Sequence, residues 1–110
     1  MGFNVIHWDP AWGPLREKKM RQQLVSAGYH VSRYRYPPGT VFPAHVHGVH
    51  KRDTVLSGKL KIAWPAAGDS PAGSVVLEPG NMIEIPAGAV HSAEVVGAET
   101  VLSLDATKSP

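Results

Sequence analysis

Between Tyr29 and Asp105 the chain alternates residue by residue, and no alternating run outlasts His30–Tyr36 before a glycine or proline interrupts it. Successive side chains of a strand point to opposite faces of its sheet, so period-two runs read as strands and the Gly and Pro clusters as turns. The runs are His30–Tyr36, Val41–Val46, Thr54–Leu56, Lys59–Trp64, Ser74–Glu78, Met82–Ile85, Ser92–Val96 and Thr100–Asp105, with Pro65 to Gly73 as a polar hairpin loop. Strands this short and this regularly punctuated restrict the chain to a mainly β sandwich or barrel. Ten Pro and eleven Gly supply the turns, and 110 residues suffice for one closed core but not two.

The first 28 residues read differently. Residues 3 to 8 alternate weakly, as an edge strand that could reach a second subunit. Gly13-Pro14 is expected to open a helix, since Pro is tolerated in a first turn, and Gly28 to close it. Leu15, Met20, Leu24 and Val25 give that helix an apolar side to lay against the outside of the barrel. Its run Arg16-Glu17-Lys18-Lys19-Met20-Arg21 reads as a solvated face.

The chemistry lies in the histidines. His45 and His47, two apart, point the same way from a strand. If a later strand folds back beside them, His91 completes a three-nitrogen cluster, and imidazole is the commonest protein ligand for transition metals. Gly39, Gly58, Gly80 and Gly88 fall where strands must turn, and Pro86-Ala87-Gly88 is a turn signal just before His91.

Composition excludes several classes. The formal charge is +2, and no aromatic stacking motif accompanies the basic run, so nucleic acid is not an expected partner. Without cysteine there is no disulfide, thiolate ligand or nucleophilic thiol. No stretch approaches membrane-spanning length, and the start lacks a charged leader followed by an apolar run. A cytoplasmic protein is the expectation.

The two stretches Gly39-Thr-Val-Phe-Pro-Ala-His45-Val-His47 to Gly58 and Gly80-Asn-Met-Ile-Glu-Ile-Pro86-Ala-Gly88-Ala-Val-His91 resemble the paired signature of the cupin superfamily, G-x5-H-x-H-x3-E-x6-G and G-x5-P-x-G-x2-H-x3-N. Gly39, His45, His47 and Gly58 match the first motif in register, and Gly80, Pro86, Gly88 and His91 the second. The resemblance covers about residues 30 to 106, and the chain looks like a small bacterial single-domain cupin. It implies a jelly-roll barrel, or double-stranded β-helix, over 29–106 within one domain of 1–110, with 1–28 as arm and helix. It also implies a homodimer built on edge strands.

Two positions depart from the signature. Val95 replaces Asn, a mild change. Lys51 stands where the family usually has a ligand Glu, and a charged lysine has no lone pair to give. An ammonium about 4 Å from a divalent ion is repelled by roughly 8 kcal/mol at an effective dielectric of about 20. By strand parity Lys51 and Asp53 share the face of His45 and His47, roughly 6 to 7 Å apart along the strand. Asp53 could neutralise Lys51, or replace the missing carboxylate as a ligand while the lysine stem carries its charge away; otherwise no metal binds. His50 is a further candidate, placed on the opposite face and ranked below Asp53.

Other residues carry lesser expectations. Glu84 could face the pocket as a general base or as partner to a histidine, with Lys51 as a second catalytic candidate. Arg33 and Arg35 share a face expected to be exposed, and Tyr34, Tyr36, Phe42, Trp64 and Met82 are expected to fill the barrel or its rim. The resemblance thus implies a divalent transition metal (Fe, Mn, Ni, Cu or Zn) on His45, His47 and His91, with Asp53 or water completing its sphere. The function expected is binding of, or action on, a small polar or anionic metabolite. If the chain is an enzyme, it is a metal-dependent oxidoreductase of dioxygenase type or an isomerase. The alternative is a non-catalytic binding or sensor module that has lost its metal.

Overall fold

The structure is a computed structural model that describes residues 2–110. Nine strands build two antiparallel sheets. The five-stranded sheet orders β1 (Asn4–Ile6), β7 (Met82–Ile85), β4 (His50–Thr54), β9 (Val101–Lys108) and β2 (His30–Tyr36). The four-stranded sheet orders β3 (Val41–His45), β8 (His91–Val96), β5 (Lys59–Trp64) and β6 (Gly73–Leu77). This is the expected jelly-roll barrel with one helix, α1 (Glu17–Ser26).

Strand parity divides the apolar residues between two cores. Ile83 and Ile85 of β7, Leu60 and Ile62 of β5, and Val101 of β9 point between the sheets with Val55, Leu77 and Val95. Met82, Leu104 and Ala106 point the other way, where Met20 and Leu24 of α1 cover the five-stranded sheet with Tyr29. Each side chain fully buried in this way contributes about 1.5–3 kcal/mol of transfer free energy. Met82 therefore fills the helix-side core and not the barrel, and Tyr34 is exposed at the surface.

Several boundaries differ from those expected. The helix begins at Glu17, past Pro14, with Arg16 extended at its N-cap and no capping side chain. Glu17 then sits in the first turn, where the positive end of the helix dipole favours a carboxylate, and also pairs with Arg33 of β2 at 3.0 Å. The arm strand β1 pairs with the chain's own β7 and forms an edge of the five-stranded sheet. The strand expected at Thr54–Leu56 lies earlier, at His50–Thr54. His45 and Lys51 consequently belong to different sheets and not to one continuous strand.

The motif glycines Gly39, Gly58, Gly80 and Gly88 all have positive φ. At Gly58 the fit is also steric: a Cβ would stand 2.8 Å from the Thr100 carbonyl oxygen. No described helix is long and apolar enough to cross a membrane.

Candidate metal centre

His45 ends β3, His91 begins β8, and the two are directly opposed in the ladder. His47 follows in the loop after β3, and its carbonyl accepts from the Gly88 N–H at 2.9 Å, tying it to the turn that leads into His91. The imidazole centroids are 4.4 Å (His45 to His91), 4.7 Å (His45 to His47) and 5.4 Å (His47 to His91) apart. One nitrogen from each ring lies within 4.8 Å of the other two. An ion at about 2.1 Å from each would draw them to roughly 3–3.4 Å, a side-chain adjustment.

Hydrogen bonds show which nitrogens are already engaged. His45 Nδ1 is 2.7 Å from the Pro43 carbonyl and His91 Nδ1 is 3.0 Å from the Ala89 carbonyl. A carbonyl only accepts, so both Nδ1 atoms carry the proton and both Nε2 atoms keep a lone pair. Nε2 of His47 is buried with no hydrogen-bond partner. Buried polar atoms nearly always have a partner, and this orphaned imidazole nitrogen, beside two other imidazoles, has none within the protein. Burial lowers the His47 pKa, helped by Lys51 and the neighbouring imidazoles. Burial also lowers that of His91, against the opposing pull of the Ala89 carbonyl. Both rings are thereby biased to the neutral form that binds metal. The donor set fits a divalent first-row ion.

The other candidates are arranged around this group. Lys51 is buried, with Nζ 2.9 Å from both oxygens of Asp105 and 3.3 Å from Asp53 Oδ1. Asp53 and Asp105 are themselves direct partners across β4 and β9. Burial alone would lower the Lys51 pKa, but the two carboxylates reverse this and hold it above its ordinary value. Burial pushes the Asp53 carboxyl up, more than the Lys51 ammonium pulls it down. Removing one partner of such a buried pair costs about 3–5 kcal/mol. Of the two roles expected for Asp53, the structure shows the neutralising one: Asp53 sits against Lys51, outside the three-nitrogen group.

His50 points away from the cluster, accepting from the Ala87 N–H at 3.0 Å and so bracing the turn before His91. Glu84 is also on the outer side, because its strand neighbours Ile83 and Ile85 take the inward positions. It accepts from Asn4 at 2.7 Å and Arg52 at 2.9 Å, and does not line the cavity as a general base would. Asp105 went unremarked in the sequence. Its signal was its parity with Val101 and Ser103, usable only once β9 is known to lie beside β4.

Between the sheets, a cavity of about 150 Å³ is bounded by the three histidines, Lys51, Asp53, Asp105, Tyr36, Phe42 and Ser103, with Leu60 and Ala93. Tyr36 packs edge-on to Phe42 at 4.9 Å. Its hydroxyl is held well above the usual phenol pKa by burial and by the charges of Asp105 and Asp53.

A barrel of two antiparallel sheets with an imidazole cluster at one mouth defines a cupin. The chain belongs to the ChrR cupin-like domain family, whose model matches residues 3–107. Acireductone dioxygenase from Bacillus anthracis, solved with a cadmium ion in its active centre, is similar in structure: TM-score 0.75, 17% identity, 96% of this chain and 77% of that one. Oxalate decarboxylase from Bacillus subtilis, a protein with Mn(II) centres, aligns with TM-score 0.63 and 24% identity over 72% of this chain. This chain spans 21% of the length of that decarboxylase. The Drosophila melanogaster CENP-C structure bound to CAL1 is also similar: TM-score 0.64, 19% identity, 71% of this chain and 63% of that one. At these identities the likeness concerns the fold. No curated protein matches the chain.

Proposed function

We propose that the protein is a small metal-binding cupin that holds a divalent first-row ion on Nε2 of His45, His47 and His91 and takes a small polar or anionic metabolite beside it. The observation that carries this reading is the buried, unpartnered Nε2 of His47, facing two imidazoles whose Nδ1 protons are already committed to backbone carbonyls. A bound ion would supply Lewis-acid or oxygen-activating chemistry, as in a dioxygenase-like oxidoreductase or an isomerase.

The chain's own residues define what can enter. A void of about 150 Å³ elsewhere accommodates a benzene-sized molecule, so a ligand of roughly six heavy atoms is the scale. Oxalate, in the name of one structural relative, is of that size. Phe42, Leu60 and Ala93 supply apolar wall, while the Tyr36 phenol, protonated across the physiological range, offers a donor hydroxyl.

A metal-free binding module would instead hold a small anion beside the Lys51 ammonium. Three carboxylate oxygens already surround that ammonium, which speaks against this version. The deciding experiment is elemental analysis of protein purified without a histidine tag, beside the double variant His45→Ala, His91→Ala. About one ion per chain in the wild type and none in the variant is expected. Equal content in both, or none in the wild type, would overturn the proposal.

A further inference from the structure

An ammonium has three N–H bonds and no lone pair, and three carboxylate oxygens crowd Lys51 Nζ: Oδ2 of Asp105 accepts a hydrogen bond at 2.9 Å, while Oδ1 of Asp105 at 2.9 Å and Oδ1 of Asp53 at 3.3 Å stand at ion-pair distance with no hydrogen bond of their own. The two aspartates face each other across the β4–β9 ladder, and like charges at directly opposed positions repel unless a cation lies between them. They are also the only carboxylates among the described residues that line the cavity of the three imidazoles. Were Lys51 apolar, the nearest cation able to relieve that repulsion would be a metal on the histidines. Resemblance to the cupin signature places Lys51 at the usual glutamate ligand position, so the chain supplies a cation where the family usually supplies a ligand.

We propose that Lys51 is a positioning residue: a tethered cation that holds Asp53 and Asp105 off the metal, which therefore keeps three imidazoles and turns its remaining positions to a small chelating monoanion. The inference rests on the three-imidazole reading above. The ligand class follows from charge and size. Counted at formal charges, a divalent ion, neutral imidazoles, the Lys51 ammonium and the two aspartates give the cavity a single net positive charge. A carboxylate bearing a hydroxyl or keto oxygen on the adjacent carbon neutralises it, offers two oxygens to one ion and fits about 150 Å³.

The test uses tag-free protein loaded with Co(II), whose visible spectrum reports its ligands, with lactate as the chelating probe and acetate as the control. Wild-type protein should bind lactate, with a spectral change, about tenfold or more tighter than acetate. Lys51→Met should show an altered spectrum as a carboxylate joins the sphere, and lactate affinity should fall about tenfold or more. Adding Asp53→Asn and Asp105→Asn to that variant should restore the wild-type spectrum, and Lys51→Arg, which keeps the charge, should never lose it. If Lys51→Met does not fold by circular dichroism, the single variants decide: Asp53→Asn and Asp105→Asn should each leave the wild-type spectrum unchanged. Identical spectra and lactate affinity in wild type and Lys51→Met would overturn the inference, as would a spectral change in either single variant. Wild-type protein that takes up no Co(II) would overturn the metal reading and this inference together, whereas failure of the variant arms in Co(II)-loaded protein sinks the inference alone.

Discussion

Single side chains decide more here than their size suggests. Thr54 is fully buried, and its hydroxyl both donates to the Leu104 carbonyl at 2.8 Å and accepts from the Leu104 N–H at 3.0 Å. The hydroxyl thus stands in for a backbone rung between β4 and β9, just beyond the Asp53–Asp105 pair. Thr54→Val keeps the shape and strands two buried backbone groups, so it should cost about 1–3 kcal/mol in urea unfolding. Tyr36 gives a titration test. Its phenol is held above the ordinary value, so at about pH 10, where a free phenol is half ionised, Tyr36→Phe and wild type should show equal tyrosinate absorbance. A drop in the variant would mean that Tyr36 ionises normally and is not buried as described. The histidines were legible because a fixed spacing announces them. Asp105 was not, because its partner Lys51 is 54 residues away and only sheet register joins them.

At the scale of elements, β1 is three residues long and hangs on the edge of its sheet. A clasp secures it: Glu84 accepts from Asn4 and from Arg52, and these contacts, the Asn4 bond foremost, lower the Glu84 pKa despite partial desolvation. A depressed carboxylate stabilises the fold above its unfolded pKa of about 4.3 and loses that contribution as pH falls through its lower folded value. Amide protection at Asn4–Ile6 should therefore weaken as the pH falls below about 4.3. Glu84→Gln should remove the pH dependence; persistence of that dependence would assign it to another group. Gly58→Ala should destabilise by about 1–3 kcal/mol, because its φ of +78° and the nearby Thr100 carbonyl both oppose a side chain. Strand legibility follows the same logic. His30–Tyr36, Lys59–Trp64 and Met82–Ile85 were bounded as found, each closed by proline or glycine or opened just after one. β4 was misplaced because His50-Lys51-Arg52-Asp53-Thr54 shows no apolar alternation: its inward positions line a cavity and carry charge where a core strand carries valine or leucine. The helix start was misread because Pro14 is a permitted first-turn residue but not an obligatory one.

At the scale of the molecule, metal that binds only the folded chain adds stability by mass action, about 2.7 kcal/mol at a hundredfold excess over Kd. Dialysis against EDTA should lower the thermal midpoint of wild type by several degrees and leave the double variant His45→Ala, His91→Ala unmoved. Equal response in both would locate the chelated metal elsewhere. The homodimer that the family resemblance implies predicts a light-scattering mass of twice the 11.8 kDa chain, and a mass of 11.8 kDa would refute it. The two sheets also divide the chemistry between them. The four-stranded sheet supplies His45 and His91, with His47 just beyond β3, while Lys51, Asp53 and Asp105 all stand on the five-stranded sheet. Mutational drift in the five-stranded wall can therefore alter the charge and polarity met by an incoming molecule while the three imidazoles keep their places on the other side. A barrel divided in this way can acquire new chemical preferences while its histidines stay in place, and laboratory selection on β4 and β9 alone would be the economical way to retarget it.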